Sequence, residues 1–148
     1  MRRLILVIAA SLCIPVGCSR KSALDEGLME IRLPGGREIR AEVLTRPEDL
    51  QRGMMFRESL APDRGMLFVH PTAGRHSYWM FQCRIPLDII WLDAGKRIVE
   101  ISADTPPCPG EARTCPSYGG NHDALYVLEM AGGMAKKYGL KPGDVLSF

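Results

Sequence analysis

Residues 74 to 97, GRHSYWMFQCRIPLDIIWLDAGKR, decide the fold of this chain. Two runs inside this stretch, HSYWMFQ and LDIIWLD, are rich in aromatic and branched apolar residues, which favours two strands. The turn sequence DAGK and the run RIVEISAD follow at once, so a hairpin with LDIIWLD is predicted. We expect the stretch to form the centre of a β domain. Its His, Cys and Asp side chains raise the question whether it also carries a functional site.

The segments before this stretch predict another hairpin and a short helix. LMEIRL and REIRAEVL alternate apolar and polar residues on either side of PGG, as a hairpin over residues 28–45 requires. In TRPEDLQRGMM, Thr45 is predicted to cap a helix, with Glu48 completing a capping box and Pro47 in the first turn. MLFVH then predicts a strand that PTAGR ends.

The segments after this stretch complete a mostly β chain. Residues 105–122 contain four Pro and three Gly, which predicts a long surface loop. ALYVLEM predicts a strand, GGMAKKYG a second short helix, and LKPGDVLSF a turn into a last strand. We therefore predict a single antiparallel domain over residues 28–148, a β-sandwich or barrel with two short helices.

The first residues have the pattern of an export signal. Arg2 and Arg3 precede an apolar run, residues 4–16, which matches a signal-peptide core and is too short to span a bilayer. IPVGC predicts a lipoprotein signal over residues 1–17 with Cys18 as the lipidated residue, although Pro15 stands where Leu is usual. An ordinary cleaved signal and an uncleaved anchor are the alternatives. Residues 18–27 would form a polar tether, and we expect an exported protein anchored in a membrane and facing the periplasm or the cell exterior.

The charge of the chain excludes one class of partner. Without Arg2 and Arg3 the sequence has 17 basic and 17 acidic residues, so the formal net charge of the remainder is zero. The sequence has no cluster of Lys and Arg, and phosphate neutralisation by such clusters dominates affinity for nucleic acids. We therefore expect no nucleic-acid partner, and a membrane partner through the lipid anchor.

Three cysteines lie in the predicted domain, and they allow three pairings that each leave one thiol over. Export favours oxidation, and the spacing of Cys108 and Cys115 favours a disulfide between them. This disulfide would stabilise the Pro-rich loop by about 2.5 kcal/mol through loop-closure entropy. The alternative is a zinc site that adds Cys83 and His122 to these two cysteines, but the spacing does not match a zinc knuckle.

Three blocks of the sequence carry a resemblance to a known family. The first, RGMMFRESLAPDRGMLFVHPTAGRHSYWMFQCRIPLDIIWLDAGKRIVEI, is followed in order by PPC with CPSY and by YVLEMAGGMAKKYGLKPGDVLSF. From about residue 30 to the end, the chain resembles the bacterial and archaeal DUF192 family, a domain of unknown function. The resemblance implies a compact all-β, sandwich-like domain that is often secreted or lipid-anchored. It implies no activity.

The candidate site residues come from the opening stretch. Asp88 lies between apolar neighbours in LDIIWLD. An acid in such a position is at a sheet edge or is buried with a partner. The plausible partners are Arg84, Arg75 and His76. His76 with Asp88 would form a base and its orienting group, as acid–base catalysis requires. The rival interpretations are a structural ion pair or a turn-holding carboxylate for Asp88, and a structural or edge histidine for His76. No nucleophile elbow or phosphate loop accompanies these residues.

Two other ligand classes fit single features of the sequence. Met80 and His76 offer the thioether and imidazole groups that suit Cu(I), although strand spacing separates them and Met commonly fills irregular cores. Four aromatic residues are candidates for a groove that stacks on a sugar, and core packing is the rival interpretation: Tyr78, Trp79, Trp91 and Tyr118.

The sequence therefore favours a non-catalytic, lipid-anchored domain outside the cytoplasm that binds a small ligand, a glycan or a partner protein. Its pocket is predicted from His76, Trp79, Arg84 and Asp88, beside the loop of residues 105–122. No catalytic residue, metal or cofactor is assigned. The alternatives are a cell-envelope enzyme that uses His76 and Asp88, and a copper-binding Met/His protein.

Overall fold

The computed structural model describes residues 27–148, and these form a mostly β domain. Two short helices are present, α1 at Pro47–Arg52 and α2 at Met134–Lys137. The predicted signal, tether and lipidated Cys18 lie outside the described residues except for residue 27. The strands, in chain order, are β1 Met29–Arg32, β2 Glu38–Leu44, β3 Arg64–Gly74, β4 Ser77–Trp79, β5 Leu87–Leu92, β6 Ile98–Thr105, β7 Ser117–Gly119 and β8 Ala124–Ala131.

Six of these strands form one open sheet in the order β1-β2-β3-β8-β5-β6, and β4 pairs with β7 in a small second sheet. The pairs are antiparallel except β2 with β3, which run parallel, so the prediction of a purely antiparallel domain is wrong at this pair. A parallel pair needs a crossover, and residues 45–63 with α1 supply it. The large sheet does not close into a barrel, and the two sheets give a sandwich-like arrangement.

The large sheet is buried on both faces, and each face has its own apolar cluster. Face A carries Leu67, Ile90, Leu128 and Met130 and is covered by α2 and the C-terminal residues. The apolar cluster on this face also includes Ile31, Ile39, Ala135 and Leu146. Face B carries Met66, Phe68, Ile89, Trp91 and Val127 and packs against Tyr78 and Tyr118 of the small sheet. β5 is therefore buried along its whole length.

The two predicted hairpins are confirmed. β1 pairs with β2 in the antiparallel sense, with Met29 opposite Ala41, and β5 pairs with β6. The predicted last strand forms only single bridges, from Ser147 to Arg32 and from Val145 to Arg97.

Other local predictions are wrong for identifiable reasons. HSYWMFQ forms a strand only at β4, because Gln82 adopts a left-handed φ of 57° and turns the chain. The run PTAGR does not end β3, which continues to Gly74 through an irregular register with β8. The capping box of Thr45 and Glu48 is absent: the N-cap of α1 is Arg46, which makes no side-chain cap but forms an ion pair of 2.7 Å with Asp49.

The predicted disulfide is confirmed. Cys108 and Cys115 are bonded, with their Cα atoms 5.8 Å apart, while Cys83 is a free, buried thiol. The loop of residues 105–122 is not entirely irregular, because its second half forms β7. Cys108 is also held by its backbone, since its N–H donates to the carbonyl of Met80 at 3.0 Å. The disulfide loop is thereby joined to the segment that follows β4.

Candidate functional site

Asp88 is held by backbone N–H groups, as the alternative of a turn-holding carboxylate implies, and not by an ion pair with Arg84, Arg75 or His76. Its side chain is fully buried on face A and accepts three backbone hydrogen bonds. One carboxylate oxygen accepts from the N–H groups of Asp104 at 2.7 Å and Gly133 at 3.0 Å, and the other accepts from Ala135 at 2.5 Å. These bonds join β5 to the end of β6 and to the start of α2, and they satisfy the buried charge.

The structure separates the other three predicted site residues from Asp88. His76 Nε2 is hydrogen-bonded to the carbonyl of Thr72 at 3.1 Å, and the His76 carbonyl accepts from the Trp91 indole on face B at 2.7 Å. Arg84 forms an exposed ion pair with Glu58 at 2.5 Å. The proposed base and its orienting group are therefore not assembled.

Of the four residues predicted to form the pocket, Trp79 borders the cavity beside Glu129. Its side chain is 39% exposed, and its ring centroid lies 5.2 Å from that of Phe81. A large, partly exposed aromatic side chain beside a cavity can stack on a ligand.

Among residues 27–148, the buried side-chain atom without a hydrogen-bond partner is Oε2 of Glu129 in β8. The register partner Ile89 places Glu129 on face B, opposite in direction to Asp88, whose register partner is Met130. Glu129 is 4% exposed, and its Oε2 atom has no hydrogen-bond partner. Burial raises the pKa of the Glu129 carboxyl from 4.5 to about 8, because the charged form loses its hydration. The carboxyl group is therefore mostly protonated at neutral pH.

The Cys83 and Tyr78 side chains near Glu129 are uncharged as well. Burial, with a smaller effect of the Glu129 charge, raises the pKa of the Cys83 thiol to about 12 and raises that of Tyr78 well above its ordinary range. The Tyr78 hydroxyl is hydrogen-bonded to His70 Nε2 at 3.0 Å. Burial, helped by the stacked ring of His76, lowers the pKa of His70 to about 4. Apart from the exposed Arg52 of α1, the site thus presents neutral polar groups in apolar surroundings at pH 7.

A small cavity of about 30 Å³ lies beside Glu129. Its lining is mostly aromatic and sulfur-containing, with residues of α1 at one side: Phe68, Tyr78, Trp79, Phe81, Met54, Met55, Cys83, Leu50, Gln51, Arg52 and Gly53. An outer cleft of about 270 Å³ between α1 and β4 shares Leu50, Gln51, Tyr78 and Trp79 with this cavity. Apolar walls around a few polar groups are typical of small-ligand sites.

Unusual backbone conformations occur at Gly53, which lines the cavity, and at two residues next in sequence to other lining residues. Gly53 has φ 42° and ψ −127°, and a Cβ there would lie 2.9 Å from a ring carbon of Phe68 and 4.0 Å from Oε2 of Glu129. Phe56 and Gln82 have left-handed φ values of 66° and 57°, and the Phe56 N–H donates to the Gln82 carbonyl at 2.8 Å. Such conformations persist only where the fold holds them, and they concentrate at functional sites.

Sequence reasoning missed Glu129 although a signal was present. The run ALYVLEM is apolar apart from this one acid, as LDIIWLD is around Asp88. In both runs the acid lies among apolar residues, where an unpaired buried carboxylate is costly. The contribution of Cys83, Phe68 and His70 had no local signal, because separate strands and loops bring the first two to the cavity and His70 to the outer cleft.

The structure also bears on the metal alternatives. Because Cys108 and Cys115 are joined in a disulfide, the zinc site that needed both thiols is wrong. Among residues 27–148, no three His, Cys, Asp or Glu side chains are grouped as a metal site requires. Met80, the copper candidate, is fully buried. In the same range, no helix has the length and apolar character needed to cross a membrane.

We expect Asp88→Asn to lower the free energy of unfolding by about 3 kcal/mol or more, because an amide group cannot accept all three buried N–H bonds. The exposed Asp123→Asn is the matched control and should change stability by less than about 0.5 kcal/mol. Urea unfolding of both variants measures the difference. Equal, small effects would show that the three bonds do not hold the domain together.

We expect Glu129→Gln to become more stabilising, relative to the wild type, as the pH rises. The folded-state pKa of about 8 exceeds the ordinary value of 4.5, so the unfolded chain releases the proton first and wild-type stability falls across that range. The stability difference between the two proteins should grow by about 3 kcal/mol from about pH 5 to about pH 8. Comparing the two proteins at each pH by urea unfolding cancels the titration of His70. A difference that stays constant would contradict the raised pKa.

Comparison with known proteins places this chain in a family. The DUF192 family, described as "Uncharacterized ACR", matches residues 30–148. A solved protein of Novosphingobium aromaticivorans DSM 12444, described as being of unknown function, is similar with a TM-score of 0.73. It is 26% identical and covers 88% of this chain and 99% of its own.

A second solved protein comes from Sinorhizobium meliloti 1021 and is described, provisionally, as a transcription regulator. It is 29% identical with a TM-score of 0.70, and the match covers 80% of this chain and 89% of that protein. Comparison with the curated proteins found no match. The family match spans most of the chain and the whole of the candidate site, and we conclude that this protein belongs to the DUF192 family.

Proposed function

We propose that the protein is a lipid-anchored domain outside the cytoplasm that binds a small ligand in the cleft between α1 and β4. One observation carries this proposal: Oε2 of Glu129 is buried without a partner beside a cavity that adjoins the outer cleft. Trp79 borders both spaces and would form one wall of the ligand site.

The cost of burying Glu129 supports a binding role. A buried polar group without a hydrogen bond costs about 1–3 kcal/mol, and most buried groups in folded proteins are satisfied. Asp88 on the neighbouring strand shows that this fold can satisfy a buried acid with backbone N–H groups. Glu129 lacks that arrangement, so a ligand that hydrogen-bonds to it would recover part of the cost.

The location outside the cytoplasm rests on two features of the chain. Residues 1–17 have the composition of an export signal that ends before Cys18. The disulfide between Cys108 and Cys115 is of the kind that persists in oxidising compartments. Lipid on Cys18 would then hold the domain at a membrane surface.

A ligand-binding role is preferred to the enzyme and copper alternatives. The acid–base pair of the enzyme hypothesis would need His76 and Asp88 in contact, yet their hydrogen bonds go to Thr72 and to backbone N–H groups. The copper hypothesis would need Met80 open to an ion. No described contact favours either role over binding at Glu129.

We expect small polar molecules to bind at this cleft. The probes are monosaccharides, short alcohols and alkylamines, added to the ¹⁵N-labelled protein while its amide spectrum is recorded. At least one probe class should shift the resonances of Tyr78, Cys83 and Glu129 more than that of the exposed Val145. Trp79→Ala should weaken the binding by about tenfold, the loss of one stacking contact.

Val145→Ala is the matched control, because Val145 is exposed and lies beside Arg97, at a bridge outside the cleft. This variant should bind the probes as the wild type does. If no probe moves the cleft resonances, or if Trp79→Ala binds as well as the control, the proposed site is wrong.

We expect Cys18→Ser to move the protein from the membrane fraction to the soluble fraction of cells that export it. The hydroxyl of Ser cannot form the thioether that carries the lipid, so the anchor is lost. Cys13→Ser is the matched control, since Cys13 lies inside the predicted signal. Cell fractionation and intact-mass measurement check this. An unmodified Cys18 in the wild-type protein would contradict the anchor.

A further inference from the structure

We propose that the ligand of this cleft is a small organic amine whose primary ammonium group enters the cavity and pairs with Glu129. This inference rests on the binding function proposed above and adds the chemical class of the ligand. It follows from the charges, the walls and the size of the cavity.

The charges around Glu129 leave a place for a cation. The titratable groups that face the carboxyl are Tyr78 from β4 and Cys83 from the following loop, and both are neutral at pH 7. Arg52 of α1 borders the cavity, but Oε2 of Glu129 makes no hydrogen bond with it or with any other described residue. An ionised Glu129 would therefore take its counter-ion from a ligand, since a buried charge requires a partner.

The walls of the cavity suit a cation as well. Four aromatic side chains border it: Phe68, Tyr78, Trp79 and Phe81. The Phe68 and Tyr78 rings meet edge to face with centroids 5.1 Å apart, so the wall is fixed by packing. A cation near aromatic faces is attracted by their quadrupoles, and this attraction increases where water is excluded. A carboxyl group ringed by aromatic side chains is thus complementary to an ammonium group.

The size of the cavity selects the kind of cation. About 30 Å³ accommodates a group of roughly the size of one water molecule. A primary ammonium group meets this limit and donates three hydrogen bonds, whereas a trimethylammonium group is larger and donates none. The outer cleft of about 270 Å³ is near the lower end of small-molecule sites and would hold the body of the amine.

Proton balance predicts how such binding depends on pH. The ammonium group keeps its proton, the protonated Glu129 releases one proton to solvent, and an ion pair forms in the cavity. Because the pKa of Glu129 is about 8, affinity should rise with pH below that value. The pKa of His70 lies near 4 and that of Cys83 near 12, so neither titrates in this range. The amine itself, like lysine, loses its proton only near about pH 10.4.

The experiment is calorimetric titration of the full chain with three probes of matched shape: cyclohexylmethylammonium, cyclohexylmethanol, and the trimethylammonium analogue of the first. Affinity for the primary ammonium should rise about tenfold from about pH 6 to about pH 7, as the ionised fraction of Glu129 does. Glu129→Gln keeps the shape of the side chain and should weaken this binding about tenfold or more and remove its pH dependence. Val145→Ala is the control and should bind as the wild type does.

The outcomes separate this inference from the proposed function. If the alcohol binds as tightly as the ammonium and neither depends on pH, the ammonium assignment is wrong while the ligand cleft stands. If the trimethylammonium analogue binds as tightly as the primary amine, the cavity beside Glu129 is not where the cation lies, and the inference is overturned. If no probe binds and none shifts the resonances of Tyr78 or Glu129, both proposals are wrong.

Discussion

The three backbone hydrogen bonds of Asp88 hold together the parts of this domain that are distant in sequence. They join the start of β5 to Asp104 near the end of β6 and to Gly133 and Ala135 at the start of α2. Because β5 pairs with both β6 and β8, this carboxylate links α2 to the β8-β5-β6 part of the large sheet. α2 is thereby held over face A, which leaves face B for the small sheet and for the cavity.

The same physical rule explains the contrast between Asp88 and Glu129. A carboxyl group in a protein interior must be paired, hydrogen-bonded or protonated. Asp88 meets the rule through three N–H groups, and Glu129 meets it through protonation, at the cost of an unpartnered oxygen. Gly53 approaches Phe68 so closely that a Cβ there would lie 2.9 Å from a ring carbon, which leaves no room for a larger residue at this wall of the site. The satisfied acid therefore has a structural role, and the other is the group on which the proposed binding site depends.

The parts of the fold that depend on local sequence were predictable, and those that depend on distant contacts were not. The hairpin of β5 and β6 follows from apolar runs on either side of DAGK, and the Cys108–Cys115 disulfide from the short spacing of its cysteines. The parallel pairing of β2 with β3 and the pairing of β4 with β7 join segments whose patterns do not specify a partner. His76 and Asp88 are close in sequence, yet the intervening turn at Gln82 and the pleat of β5 direct them to different surroundings. Trp79 was predicted to line a pocket with His76, Arg84 and Asp88, whereas it borders the cavity of Glu129 without them. Only the tertiary structure shows that Oε2 of Glu129 has no partner.

Titration of the Glu129 carboxyl carbon by ¹³C nuclear magnetic resonance tests the central claim most directly, with the resonance assigned by its loss in Glu129→Gln. The proposed site requires a buried, unpartnered carboxyl group that is protonated at neutral pH. It predicts a midpoint near pH 8, well above the ordinary value of 4.5. A midpoint at or below the ordinary value would mean that Glu129 is already satisfied within the fold, and it would contradict the site.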